Sequence, residues 1–179
     1  MYKTTEIAHI LIKEHVKESD LVVDATCGNG FDTLFLANLV PSGKVLAFDI
    51  QETAINNTKE LTKDFNNIEY HLSSFENINV ENCTCVLFNL GYLPNGKKEI
   101  TTNKETTLKT IKKLVDSFSV NPNLIIYIIV YPGHFEGFEE SIALDEFSKN
   151  LDSKLYLSTL FKPFNQKNAP YLIMISKKR

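Results

Sequence analysis

Two glycines, two positions apart, follow an apolar run in the stretch VVDATCGNGFDT, residues 22–33. Gly28 and Gly30 have no Cβ, so backbone amides at these positions can approach a bound ligand closely. Asp49 lies nineteen residues after Gly30 and ends the next apolar run. A carboxylate there can accept hydrogen bonds from both hydroxyls of a ribose. This combination predicts a site for a nucleoside-containing cofactor rather than a simple turn.

The charge of the loop distinguishes between candidate cofactors. Asp24 and Asp32 would stand near the pyrophosphate of a dinucleotide without a compensating cation, whereas S-adenosylmethionine carries a sulfonium, an ammonium group and no phosphate. A dinucleotide site usually has a third small residue where the helix crosses the strand, and Thr33 occupies that position here. Charge therefore favours S-adenosylmethionine over NAD, and an NAD-linked oxidoreductase remains the less favoured alternative.

The glycine loop needs a sheet edge to hold it, and the remaining sequence supplies the elements. Apolar runs predict strands at 21–25, 44–50, 68–72, 83–90, 123–131, 154–161 and 170–177. Helical patterns fall at 5–16, 31–40, 52–65, 104–118 and 137–151. Continuous apolar strands that alternate with helices predict an α/β fold. We expect a seven-stranded, mainly parallel sheet with an antiparallel last strand and helices on both faces.

Composition indicates one soluble domain spanning 1–179. The chain has 179 residues, of which 43% are hydrophobic and 23% charged, and its net charge is −3. No global charge therefore favours nucleic acid or an anionic membrane. Three cysteines, none with a partner at zinc-ligand spacing, predict neither a disulfide framework nor a metal site and favour a reducing cytoplasm. We expect no signal peptide and no transmembrane helix.

Several further stretches carry a family resemblance. DATCGNGFDT, AFDIQ and FNLGYLP resemble class I S-adenosylmethionine-dependent methyltransferases, and ITTNKETTLKTIKKL, IVYPGH and FNQKNAPY extend the resemblance over nearly the whole chain. The narrower resemblance is to a family labelled rRNA methylases, whose members methylate the aminomethyl group of 5-aminomethyl-(2-thio)uridine at the tRNA wobble position. It implies the Rossmann-like class I methyltransferase fold, a tRNA N-methyltransferase activity, the anticodon stem-loop as partner and a homodimer.

The resemblance also implies a cofactor site at the ends of the first strands. Asp24 and the loop 28–30 would line the methionine end, Asp49 would hold the ribose, and Ser74 would lie near the adenine amine. The implied set is Asp24, Cys27, Gly28, Asn29, Gly30, Asp32, Thr33, Asp49, Ile50, Gln51, Ser74, Asn89 and Gly91. Within this set, packing of the loop is the simpler explanation for Cys27.

The segment NLGYLP, residues 89–94, follows the fourth strand, where amino-group methyltransferases commonly carry Asn/Asp-Pro-Pro-aromatic. Asn89 would accept hydrogen bonds from the substrate amine, and Tyr92 would pack on the base. Leu90 and Gly91 replace the prolines, which leaves room for an amine on a one-carbon arm. An ammonium must lose a proton before it can react, so we expect a base, with His134 and the phenol of Tyr131 as candidates.

RNA contact requires local cations in a chain of negative net charge. Five lysines follow the fourth strand and two lie in the last hairpin: Lys97, Lys98, Lys109, Lys112, Lys113, Lys162 and Lys167. The predicted substrate-binding set is Leu90, Tyr92, Pro94, Lys97, Lys98, Tyr131, Asn165, Gln166 and Asn168.

Alternatives remain open at this point. The lysines also fit a solvated helix face, and residues 164–170 also fit an ordinary polar hairpin loop. A methyltransferase for rRNA or a small-molecule amine, or a non-catalytic cofactor-binding module, would share the glycine loop. The three remaining histidines, His9, His15 and His71, are expected to be structural or solvent-facing.

Overall fold

The alternating strands and helices form one mixed α/β sheet in a computed structural model, which describes residues 3–91, 104–133 and 135–179. The strands formed by these described residues are β1 (Leu21–Asp24), β2 (Lys44–Asp49), β3 (Ile68–Leu72), β4 (Cys83–Leu90), β5 (Ile125–Val130), β6 (Tyr156–Phe161) and β7 (Tyr171–Lys177). Their order is β3-β2-β1-β4-β5-β7-β6. All neighbouring pairs are parallel except those of β7, which is antiparallel to β5 and β6. The predicted sheet with its antiparallel last strand is confirmed.

Helices cover both faces of this sheet. Those of the described segments are α1 (Thr4–His15), α2 (Phe31–Leu39), α3 (Glu52–Leu61), α4 (Lys104–Asp116) and α5 (Phe135–Lys149). Side chains of α1 and α2 pack against one face of β1, β4 and β5, and side chains of α4 and α5 pack against the other. Val22 and Val23 illustrate the division, because neighbouring strand residues point to opposite faces and both are fully buried.

The boundary of α3 differs most from its prediction. The helical pattern runs to residue 65, but the helix ends at Leu61. The Thr62 hydroxyl donates to the carbonyl oxygen of Thr58 at 2.6 Å and lies 2.7 Å from the hydroxyl of Tyr70. These side-chain bonds give the backbone an alternative to another helical turn.

Among the helices of the described residues, none is both long enough and apolar enough to cross a membrane.

Candidate active site

The topology brings three functional strand ends to one edge of the sheet. β1 lies between β2 and β4 and is parallel to both, so the carboxyl ends of all three strands lie side by side. The strand order reverses between β1 and β4, which makes this position the topological switch point of the sheet. Thr26 joins two of these ends: its hydroxyl accepts the backbone N–H of Asn89 at 2.8 Å and lies 3.2 Å from the carbonyl oxygen of the same residue. The backbone N–H of Cys27 donates to the carbonyl oxygen of Phe48 at 2.9 Å, which joins the loop after β1 to β2.

The glycine loop depends on glycine at two positions. Gly28 and Gly30 have φ angles of 53° and 86°, in the left-handed region that side chains disfavour. A Cβ at Gly30 would lie 2.8 Å from the Cα of Thr58 on α3. The Asn57 amide donates to the Asn29 side chain at 3.0 Å. The loop therefore packs closely against α3.

Asp49 at the end of β2 is held by the backbone of two loops. Its carboxylate accepts the N–H of Gly28 at 3.0 Å through Oδ2 and the N–H of Gln51 at 2.9 Å through Oδ1. Burial raises the pKa of this carboxyl, although the backbone hydrogen bonds oppose the shift. Each carboxylate oxygen has two acceptor sites, so one remains on each oxygen for the two hydroxyls of a ribose.

Asp24 and Thr33 bond to each other where β1 meets the glycine loop. Both residues are fully buried. Asp24 accepts the Thr33 hydroxyl at 2.6 Å and the backbone N–H of Thr26 at 3.2 Å. Burial, and then the nearby charge of Asp32, raises the pKa of Asp24 to about 8. The cofactor contact expected of Asp24 and Thr33 stays a prediction; in the structure their buried side chains bond to each other and support the loop.

Cys27 and Ser74 also have local roles. Cys27 packs with Ala47 and Ile55, and burial raises the pKa of its thiol well above the ordinary range. This contact fits the loop-packing explanation. The Ser74 hydroxyl accepts the backbone N–H of Glu76 at 3.2 Å and begins a short 3-10 turn. Ile50, by contrast, is exposed in the loop that follows β2.

His9, expected from the sequence to be structural or solvent-facing, lies beside two of the predicted site residues. His9 Nε2 lies 2.7 Å from Asp32 Oδ1, and Asn89 Nδ2 donates to Asp32 Oδ2 at 2.7 Å. Asp32 is only 7% exposed. The His9 ring stacks on Phe35, with centroids 3.7 Å apart and planes inclined by 4°. No local pattern identifies His9, because its partner lies 23 residues away on another helix.

The last two residues of β4, Asn89 and Leu90, point to opposite faces of the sheet. Leu90 is 1% exposed and belongs to the core, so its predicted contact with substrate is wrong. Asn89 points to the other face and reaches the site. Gly91 lies against Tyr131, and a Cβ at Gly91 would be 3.4 Å from the ring. Burial, and then the charge of Asp32, raises the pKa of Tyr131, although a side-chain hydrogen bond with Asn89 opposes the shift, so its phenol stays protonated at neutral pH.

The remaining predicted substrate residues fall in two groups. The first lies outside the described residues and comprises Tyr92, Pro94, Lys97, Lys98 and His134. The second, Asn165, Gln166 and Asn168, is exposed in the β6–β7 loop.

Two of the helix lysines already have local partners beside the 3-10 turn. Lys109 Nζ lies 3.2 Å from a carboxylate oxygen of Glu76, and Lys113 donates to the carbonyl oxygens of Glu76 and Ile78 at 3.0 and 3.2 Å.

The other two histidines have structural contacts. His15 Nε2 lies 3.1 Å from the carbonyl oxygens of both Thr84 and Asn123. The His71 ring stacks on Phe48.

Comparison with known proteins agrees with this geometry. The model of the family described as "Putative rRNA methylase" matches residues 45–177. A protein named tRNA (mnm(5)s(2)U34)-methyltransferase, chloroplastic, from Arabidopsis thaliana is 35% identical over 196 residues, which cover 98% of this chain and 70% of that protein.

Two solved structures are similar to this chain along nearly their whole length. A crystal structure described as a "putative rRNA-methylase" from Clostridium thermocellum is 38% identical, with a TM-score of 0.89 and 99% of both chains covered. One described as a "putative methyltransferase" from Streptococcus mutans in complex with SAH is 31% identical, with a TM-score of 0.84 and again 99% of both chains covered. The chain belongs to the rRNA methylase family and has the class I methyltransferase fold.

Proposed function

We propose that this chain is an S-adenosylmethionine-dependent tRNA methyltransferase. It methylates the aminomethyl nitrogen of 5-aminomethyl-(2-thio)uridine at wobble position 34, giving 5-methylaminomethyl-(2-thio)uridine. The observation that carries the proposal is the meeting of Asp49, the glycine loop and Asn89 at one sheet edge, in a chain 35% identical to a protein named tRNA (mnm(5)s(2)U34)-methyltransferase.

The residues around the glycine loop fit S-adenosylmethionine. Asp24, Asp32 and Asp49 are three carboxyl groups around the loop, and no cation is paired with Asp24 or Asp49 in the described residues, an arrangement that favours a cationic ligand over a diphosphate. Asp49 would accept the ribose hydroxyls, and the loop 28–30 would let the methionine portion approach the backbone. When bound, S-adenosylmethionine supplies a methyl group on a positively charged sulfonium.

Asn89 would handle the amine. Its amide oxygen accepts an N–H of the neutral amine and so fixes the direction of the nitrogen lone pair. Holding two reactants in line is worth about 7–11 kcal/mol of the barrier, so positioning supplies most of the catalysis. Tyr131 keeps its proton at neutral pH and therefore holds the site rather than removing a proton. Tyr92 keeps its proposed role of stacking on the nucleobase, and His134 keeps its proposed role of accepting the proton of the amine.

The β6–β7 loop offers a surface for RNA at the same sheet edge. β6 runs parallel to β4 in the sheet, so the loop after β6 lies at the edge where Asn89 ends its strand. Phe164 in this loop is fully exposed, and Lys162 and Lys167 flank it in the sequence; the Lys162 amine lies 4.7 Å from the centroid of the Tyr171 ring. An aromatic ring beside cations is the arrangement that binds unpaired bases through stacking and phosphates through charge. The anticodon stem-loop, which presents unpaired bases, is the proposed partner.

Replacing Phe164 tests this surface. We expect Phe164→Ala to weaken binding of an anticodon stem-loop by about 1–3 kcal/mol, because one stacked base loses its platform. Fluorescence anisotropy of a labelled stem-loop measures the affinity. Val120→Ala is the matched control, since Val120 is exposed at the opposite edge of the sheet, before β5. Equal RNA affinity for Phe164→Ala and the unaltered protein would exclude stacking on this ring.

The methyl transfer itself is tested with a defined pair of RNAs. The purified protein is incubated with S-adenosylmethionine and an anticodon stem-loop that carries 5-aminomethyl-2-thiouridine at position 34. Nucleoside mass spectrometry should detect 5-methylaminomethyl-2-thiouridine. The same stem-loop with unmodified uridine should stay unmethylated, because its position 34 has no aminomethyl group.

A deletion strain provides the matching result in cells. Its tRNA should lose the methylaminomethyl nucleoside and accumulate the aminomethyl one. Methylation of rRNA or of a small amine in place of the stem-loop would establish the alternative substrates instead.

The wider setting belongs to the same proposal. We infer that the enzyme acts as one domain over 1–179, in the cytoplasm and as a homodimer. β6 is an edge strand, and its exposed Leu157 would suit contact with a second copy.

A further inference from the structure

A hydrogen-bond chain joins α1, α2 and β4 behind the site. His9 lies on α1, Asp32 begins the first turn of α2, and Asn89 lies near the end of β4. Each oxygen of the Asp32 carboxylate takes one partner, His9 Nε2 on Oδ1 and Asn89 Nδ2 on Oδ2, both at 2.7 Å. The three residues are far apart in sequence, so only the tertiary fold creates the chain.

The chemistry of the carboxylate fixes the direction of both bonds. An ionised carboxylate only accepts hydrogen bonds, so His9 Nε2 must carry a hydrogen and the Asn89 group that faces Asp32 must be its NH2. The Asn89 amide oxygen then points away from Asp32. An amide turned by 180° would place oxygen against oxygen beside a carboxylate that is 7% exposed, which is unfavourable.

His9 is itself held in place on two sides. Its ring stacks on Phe35, one turn along α2 from Asp32, with centroids 3.7 Å apart. Ala8 and Ile12 on the same helix are fully buried against the sheet. His9 therefore holds the Asp32 carboxylate in one orientation, and Asp32 in turn holds the amide, together with the phenol of Tyr131, which is also hydrogen-bonded to Asn89.

We propose that His9 is a positioning residue: acting through Asp32, it sets the Asn89 amide so that its oxygen, and not its NH2, meets the substrate amine. This inference rests on the proposed function. An amide in the wrong orientation would present a donor to the amine N–H and compete for the lone pair that must react. His9 thus affects the chemical step without touching the substrate.

The test removes the N–H of His9 while keeping its ring. His9→Phe can still stack on Phe35 but cannot donate to Asp32. We expect kcat for the aminomethyl stem-loop to fall about 10- to 100-fold, the cost of a misplaced reacting group. The KM for RNA and the affinity for S-adenosylhomocysteine should change much less than kcat, because His9 contacts Asp32 and is placed against neither ligand. His9→Gln keeps an N–H donor and should retain more of kcat than His9→Phe.

A second readout needs neither cofactor nor RNA. In the free protein, the side-chain NH2 signal of Asn89 in a 15N NMR spectrum, assigned by its loss in Asn89→Ala, should report the hydrogen bond to Asp32. We expect this signal to move in His9→Phe. His15→Phe makes the same change on the same helix, outside the chain, and should leave both kcat and the Asn89 signal as they are.

Each outcome decides the proposal. An unchanged Asn89 signal with unchanged kcat in His9→Phe overturns it. A parallel loss of kcat, cofactor affinity and melting temperature also overturns it, since that pattern describes general loosening of the fold. If the unaltered protein methylates no aminomethyl stem-loop, the proposed function fails, but the NMR comparison still decides whether His9 sets the amide.

Discussion

Asp49→Ala should abolish calorimetrically measurable binding of S-adenosylhomocysteine, which shares the ribose and adenine of the proposed cofactor. The carboxylate would contribute two charge-assisted hydrogen bonds to the ribose, each worth about 1.5–3 kcal/mol. Their loss weakens binding by about 3–6 kcal/mol, or roughly 100- to 10,000-fold. The alanine also releases the N–H groups of Gly28 and Gln51, which the carboxylate holds in the free protein.

Two further variants separate recognition from folding. Asp49→Asn keeps the size of the side chain and one acceptor oxygen, so it should bind more weakly than the unaltered protein but better than Asp49→Ala. Glu69→Ala removes an exposed carboxylate on the neighbouring strand, where it pairs with Lys44, and should leave affinity unchanged. Undiminished affinity of a folded Asp49→Ala protein would exclude our placement of the ribose.

Gly30→Ala should lower the free energy of unfolding by about 2–4 kcal/mol. The left-handed φ of 86° costs a residue with a side chain roughly 1–2 kcal/mol. The remainder comes from the new Cβ, which would lie 2.8 Å from the Cα of Thr58. That neighbour is backbone on α3 and cannot rotate away, so the loop must move. Urea unfolding followed by circular dichroism measures the change.

Gly133→Ala is the matched control for the glycine substitution. A Cβ at Gly133 meets nothing within 4 Å, and the residue is exposed. Its substitution should therefore change stability by no more than about 0.5 kcal/mol. If Gly30→Ala proves as stable as this control, the loop tolerates a side chain and the close approach to α3 has no structural importance.

Local patterns were enough to predict most of the fold. Continuous apolar runs predicted the seven strands to within a few residues, because a strand buried on both faces needs apolar side chains at nearly every position. Gly28 and Gly30 were predicted to let the backbone approach a ligand closely; their positive φ angles are a further reason for glycine that the structure adds. The placement of Asp49 at a strand end also followed from local sequence alone.

Leu90 and Asn89 show how strand alternation separates a core residue from a site residue. Neighbouring residues of a strand point to opposite faces, so Asn89 and Leu90 cannot both face the site. Leu90 enters the core formed with α4 and α5, whereas Asn89 reaches Asp32. Applied to residues 83–90, this alternation would have excluded Leu90 from the substrate set.

The sequence by itself determined the strands and helices, their succession along the chain and the glycine loop, because each depends on residues close together in the chain. Only the tertiary structure decided that His9 contacts Asp32, that Thr26 joins β1 to β4, and that Asp24 is buried. These features depend on how α1 and α2 pack across the sheet. The physical reason is that many side chains of this chain can form a hydrogen bond with a distant polar residue. Which two of them become partners is decided only by how the elements pack together.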